Sequence, residues 1–93
     1  MTSDFKVTEI LSDGVQGEAV ASQIELDHMV LKQAGPVEWR SRYAWLLVHL
    51  PGRTMRILAE RVDSQAGDEV QVRFKHLFPE HRRILEDLLQ PAA

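Results

Sequence analysis

Tyr43-Ala44-Trp45-Leu46-Leu47-Val48-His49-Leu50-Pro51-Gly52-Arg53-Thr54-Met55-Arg56-Ile57-Leu58-Ala59-Glu60-Arg61-Val62 is the stretch that decides the fold. The part before Leu50 is rich in aromatic, β-branched and bulky apolar residues, which suit a pleated, half-buried surface. The part after Arg53 mixes polar and apolar residues closely. Between them, Pro51 presets φ at about −65°, and Gly52 tolerates the positive φ that a type II turn demands at its third position. Two strand-like runs around such a turn predict an antiparallel hairpin. Asp63-Ser64-Gln65-Ala66-Gly67 then signals a second turn. The run from Asp68 to Phe74 alternates, with Val70, Val72 and Phe74 on one face and Gln71 and Arg73 on the other. Three consecutive strands form a meander, and the rest of the chain is expected to pack around it.

Working upstream, Met29 to Gln33 is a short strand ended by Ala34-Gly35-Pro36, because proline lacks a ladder donor. Gly17 to Ile24 is another, with Ala19 and Ala21 on one side and Val20 and Ile24 on the other. Small inward residues suit a tightly curved sheet. Phe5 to Leu11 is a strand whose alternation is imperfect, which a bulge or an edge position explains. Downstream the period changes. Pro79 to Gln90 places Ile84, Leu85, Leu88 and Leu89 at helical spacing, with Glu80, Arg83 and Asp87 opposite. Pro79 suits the first helical position, and Phe78 before it is a poor cap. The chain therefore reads as mainly β: a six-stranded antiparallel barrel with one C-terminal α-helix. It is read as one domain over residues 1–93, with 1–3 and 91–93 expected to fray.

At 93 residues, one domain is the prior. A domain of this size buries only about 60% of the surface its unfolded chain exposes, so a shared interface would help it and a homodimer is one expectation. The absence of cysteine rules out disulfides, thiolate metal sites and a cysteine nucleophile. No basic, apolar leader opens the sequence and no apolar run reaches the length of a membrane span, so a cytoplasmic protein without membrane insertion is expected. A formal net charge of −3 argues against electrostatically driven nucleic-acid binding, though it leaves room for local basic patches.

From about Val20 to Leu89 the chain resembles a PilZ domain. Met29-Val30-Leu31 resembles the strand after that family's signature loop. Leu50-Pro51-Gly52-Arg53-Thr54 matches its usual hairpin. Gln71-Val72-Arg73-Phe74, followed by Leu77-Phe78-Pro79-Glu80-His81-Arg82-Arg83-Ile84-Leu85, resembles its last strand and helix. The resemblance implies a six-stranded barrel with a C-terminal helix and, in the best-known members, binding of cyclic di-GMP. Those members carry an arginine pair spaced RxxxR near the start and [D/N]xSxxG after the second strand. Guanidinium forks grip phosphates, and the glycine allows a tight backbone approach. Here no arginine precedes or enters the first strand, where Lys6 is the only basic residue. At the loop, Gln23 stands for Asp or Asn, Glu25 for Ser and His28 for Gly. The resemblance thus implies the fold, and the departures argue against the ligand. Non-binding members of the family act as adaptors in surface motility, such as type IV pilus assembly, or in cell polarity.

Two candidate partner-binding patches emerge from the residues. Trp39-Arg40-Ser41-Arg42 is the densest basic cluster and could grip an anionic or acidic partner surface, or else be a solvated loop with Trp39 against the barrel. The helix face around Arg82 and Arg83 is the second patch. His28, His49, His76 and His81 are scattered and no carboxylate cluster completes a shell, so no metal is expected. Ser22, Ser41 and Ser64 sit in no nucleophile motif, and no glycine-rich phosphate loop is present, so no enzyme and no cofactor are expected. The expectation is a non-enzymatic PilZ-like adaptor for protein partners with an acidic surface, independent of cyclic di-GMP. The alternative is a receptor for cyclic di-GMP or another nucleotide that uses unusual ligands such as Arg40, Arg42 and Arg53.

Overall fold

Strand β1 spans Thr2–Ile10, β2 Gln16–Ile24, β3 His28–Gln33, β4 Tyr43–Leu50, β5 Arg53–Ser64 and β6 Glu69–Leu77, and helix α1 spans Pro79–Leu89. This computed structural model describes residues 1–11, 14–33, 42–64 and 69–90, apart from the side chains of 63 and 64. The strands close in the order β1-β2-β3-β6-β5-β4, every pair antiparallel. Closure removes the free strand edges that an open sheet would expose.

The hairpin forms as its turn residues dictate. Leu50 pairs with Arg53, and Gly52 takes φ of 77°. Its register sends Ala44, Leu46 and Val48 inward against Met55, Ile57 and Ala59, each at most 3% exposed. On β6, Val72 is fully buried, while Val70 and Phe74 are partly buried against the same core. Ala19 and Ala21 face inward, as small residues in a tight barrel should.

Three features depart from the sequence expectation. Ile24 is interior, on the same side as Ala21, because the β2–β3 register shifts between Ala21 and Gln23. Such a bulge adds a residue and re-aims the side chains beyond it. Residues 1–3, where fraying is expected, are bonded to β2: Thr2 pairs with Gln23, the Met1 carbonyl accepts the Ile24 N–H at 2.8 Å, and the Ser3 hydroxyl donates to the Ala21 carbonyl. Residues 91–93 lie outside the described residues. The third departure is polar. Glu9, between Val7 and Leu11 on the inward face of β1, is fully buried. It stands opposite Gly17, which has no side chain to crowd it, and its Oε2 accepts from Gln33 Nε2 at 2.9 Å.

Helix α1 starts at Pro79 with no side-chain cap on Phe78, and Arg82 N–H bonds to the Phe78 carbonyl at 2.8 Å. Glu80 in the first turn complements the helix dipole. Leu85 is fully buried and completes the core, with Ile84, Leu88 and Leu89 partly buried around it. Arg82 and Glu86 form an i,i+4 ion pair at 3.7 Å. No described helix is long and apolar enough to cross a membrane.

Candidate functional site

The outer face of β4, β5 and β6 carries a cluster of aromatic and cationic side chains. Directly opposite residues in an antiparallel sheet share a face. The register therefore aligns Tyr43, Glu60 and Arg73 in one row and Trp45, Leu58 and His76 in the next. Arg56 stands beyond, opposite Leu47. Its guanidinium lies over the Trp45 ring, 4.4 Å from the centroid. Such a contact is worth about 0.5–1 kcal/mol at an exposed site. Phe78 stacks on Trp45 at 6.3 Å with an interplanar angle of 11°. His76 and His81 meet Phe78 edge-on at 4.9 and 5.8 Å. His76 and Phe78 near the β6–α1 junction thus pack on Trp45 in the outward face of β4, while Tyr43 on the same face stays exposed.

Glu60 organises the other half of the cluster. It is 6% exposed although its side chain belongs to the outer face. Arg73 donates to it at 2.5 Å, and Arg42 and Lys75 stand at 4.0 Å. Lys75 is the extra residue where the β5–β6 register shifts between Leu58 and Ala59. The hydrogen bond from Arg73 holds the Glu60 carboxyl below its usual range. Burial opposes this, while the charges of Arg73 and Lys75 and a hydrogen bond from Tyr43 reinforce it. The Arg73 pKa is raised, first by the same hydrogen bond and then by the Glu60 charge.

Trp39 and Arg40 of the sequence-predicted patch lie outside the described residues. Arg42 is exposed and joins the Glu60 network. Arg53 is also exposed, but it opens β5 at the far end of the hairpin. Seven strand steps of about 3.4 Å separate Tyr43 from Leu50, so Arg42 and Arg53 are held apart and form no common grip. Arg82 and Arg83 are exposed on α1.

The loop that matches the family's nucleotide motif joins β2 to β3. Gln23 is exposed and pairs with Val30. Glu25 Oε1 lies 3.0 Å from the Met1 nitrogen, and the Glu25 N–H bonds to the His28 carbonyl at 2.9 Å. His28 Nδ1 and Asp27 Oδ1 are 2.6 Å apart, a hydrogen bond that lowers the Asp27 pKa against some desolvation. Leu26 at the tip shares a hollow of about 240 Å³ with Glu86 and Leu89 of α1 and with Gln90 just after it. Carboxylates therefore border this loop from both elements. Of the remaining histidines, His76 and His81, which the sequence reading treats as scattered, both pack on Phe78. His49 bonds Thr8 at 2.9 Å, and among the described residues no three His, Asp or Glu side chains gather around a metal-sized space.

Trp45, Arg56, Glu60, Arg73, Lys75, His76 and Phe78 were not singled out by sequence reasoning as one surface. The signal present was the apolar outward set Tyr43, Trp45 and Leu47, which requires a cover. What supplies that cover depends on pairings between strands.

No family model and no curated protein sequence matches this chain. Among solved structures it is similar to the crystal structure of the PilZ domain of CeSA from a cellulose-synthesizing bacterium. The TM-score is 0.75 at 11% identity, over 96% of this chain and 92% of that one. An alignment that covers nearly all of both chains, with the same closed six-stranded order and terminal helix, shows that this chain has a PilZ-like fold.

Proposed function

We propose that the protein is a non-enzymatic PilZ-like adaptor that binds a protein partner and does not take cyclic di-GMP at the β2–β3 loop. The observation that carries this is the charge on that loop. Glu25 and Asp27 lie on the loop that the resemblance aligns with the nucleotide motif, and Glu86 lies across the hollow at Leu26 between them. The low Asp27 pKa keeps that carboxylate ionised at neutral pH. Like charges in close approach disfavour binding; no arginine lies on β1, and the Met1 ammonium beside the loop is already engaged by Glu25. Arg42 and Arg53, at opposite ends of the hairpin, supply no substitute.

Calorimetry with cyclic di-GMP tests the proposal. No saturable heat is expected. A dissociation constant below about 10 μM, roughly −7 kcal/mol, overturns it. The setting proposed for the adaptor is the bacterial cytoplasm, in surface motility or cell polarity, by analogy with non-binding members of the family it resembles. A deletion strain with unchanged twitching, swarming and polar localisation removes that setting.

A further inference from the structure

We propose that the outer face of β4–β6 is the docking surface, and that its occupant is an acidic segment of a partner protein that lays one apolar side chain beside Trp45. The inference rests on the adaptor reading and names the partner's chemistry. Among the described side chains, four cations, Arg42, Arg56, Arg73 and Lys75, share this face with one carboxylate, Glu60. Arg73 holds Glu60 closely, with Tyr43 hydrogen-bonded to the same carboxylate, while Arg42 and Lys75 stand at 4.0 Å with side chains 72% and 42% exposed. Among the described residues no carboxylate pairs with Arg56. The face is therefore positive on a chain whose formal charge is −3, and a local field of opposite sign selects an acidic partner.

The aromatic half supplies what charge alone does not. Trp, Tyr and Arg are the residues most enriched at interface hot spots, and here Trp45, Tyr43 and Arg56 share one face. Tyr43 is 42% exposed and Trp45 is half-buried. Ring packing with Phe78 and the Arg56 guanidinium holds Trp45 in place before a partner arrives, which lowers the ordering cost of binding. Size sets the kind of partner. Arg56 to Glu60 spans about 14 Å along β5 and three strands span about 10 Å across, which matches four or five extended residues. That is far below the roughly 800 Å² per partner of a standard interface, so a segment fits better than a domain face. Nucleic acid fits less well, because a base could stack on the face of Trp45 under Arg56 only by displacing the guanidinium.

The test is a titration followed by NMR, with short synthetic peptides that differ only in how many glutamates flank a Leu-Phe pair. The glutamate-rich peptide should give saturable shifts centred on Trp45, Leu58 and His76. Binding should weaken as salt rises, and the uncharged peptide should bind about tenfold more weakly or worse. Arg56→Glu should reduce affinity by a similar factor. If that variant does not fold, Lys75→Glu at the rim carries the same test. The proposal is overturned by an absence of saturable shifts on this face, by shifts that neither variant alters, or by oligothymidylate binding as tightly as the acidic peptide. Cyclic di-GMP titrated into the same sample separates the two claims. Shifts at Gln23–His28 overturn the adaptor reading, whereas silence there together with no peptide binding here removes only this face and leaves the one around Arg82 and Arg83.

Discussion

His81, on the first turn of α1, accepts the backbone N–H of Arg56 on its Nδ1 at 3.0 Å. The β6 ladder ends at the pair Ile57–Leu77, so the Arg56 amide has no strand partner on that side. A helix side chain thus continues the hydrogen bonding that β6 leaves off and fixes α1 against β5. Replacing His81 with Ala should cost about 0.5–1.5 kcal/mol in urea unfolding, the usual net worth of one such bond. An unchanged midpoint would mean that water serves the amide equally well.

Leu85 should matter more. It is the fully buried residue of α1 and completes the core. Leu85→Ala should destabilise by about 2–5 kcal/mol, through lost burial and the cavity left behind. For a domain this small that is a large share of the total. Loss of the cooperative transition, or a large fall in its midpoint, is the expected readout.

Glu9 is a buried carboxylate in an otherwise apolar wall, held by Gln33. Glu9→Ala leaves the Gln33 amide donor buried without this acceptor and should cost about 1–3 kcal/mol. Replacing both residues with apolar ones of similar size should recover much of the loss, because neither polar group then needs a partner. A double variant no more stable than the single one would show that the pair is not coupled.

Acid should weaken the fold in part through Glu60. Its folded pKa is lowered from 4.5, chiefly by the Arg73 hydrogen bond. The stabilisation is therefore fully present above the unfolded value and is lost as pH falls from 4.5 through the lower folded pKa. Asp27, lowered from 3.8 by His28, acts with the same sign. Thermal melts across this acid range should show a shallower loss for Glu60→Gln than for the unaltered protein. Parallel curves would assign acid sensitivity to other carboxylates.

The strands, the Pro51–Gly52 turn and the terminal helix could be read from the chain because each rests on local chemistry. Alternation has period two, a turn needs Gly at positive φ, and an apolar stripe has helical spacing. Ile24 and Glu9 were not legible in the same way. A bulge reverses the face of everything beyond it, and whether one forms depends on the partner strand. Glu9 shares the inward face with Val7 and Leu11, and it is Gly17, placed opposite it by the β1–β2 register, that leaves room for its side chain.

The same division holds for the proposed surface. Sequence proximity pointed to Arg42 with its neighbours Trp39 and Arg40. Trp39 and Arg40 lie outside the described residues, and tertiary structure pairs Arg42 with Glu60, which also takes Arg73 and Lys75 from β6. It also brought Phe78 and His76 to Trp45. The chain by itself determined which segments are strands and which is the helix, because those depend on residue type and spacing. Only the closed barrel decided which distant cations and rings share a face, because cross-strand register is set by the whole set of pairings and by no single segment.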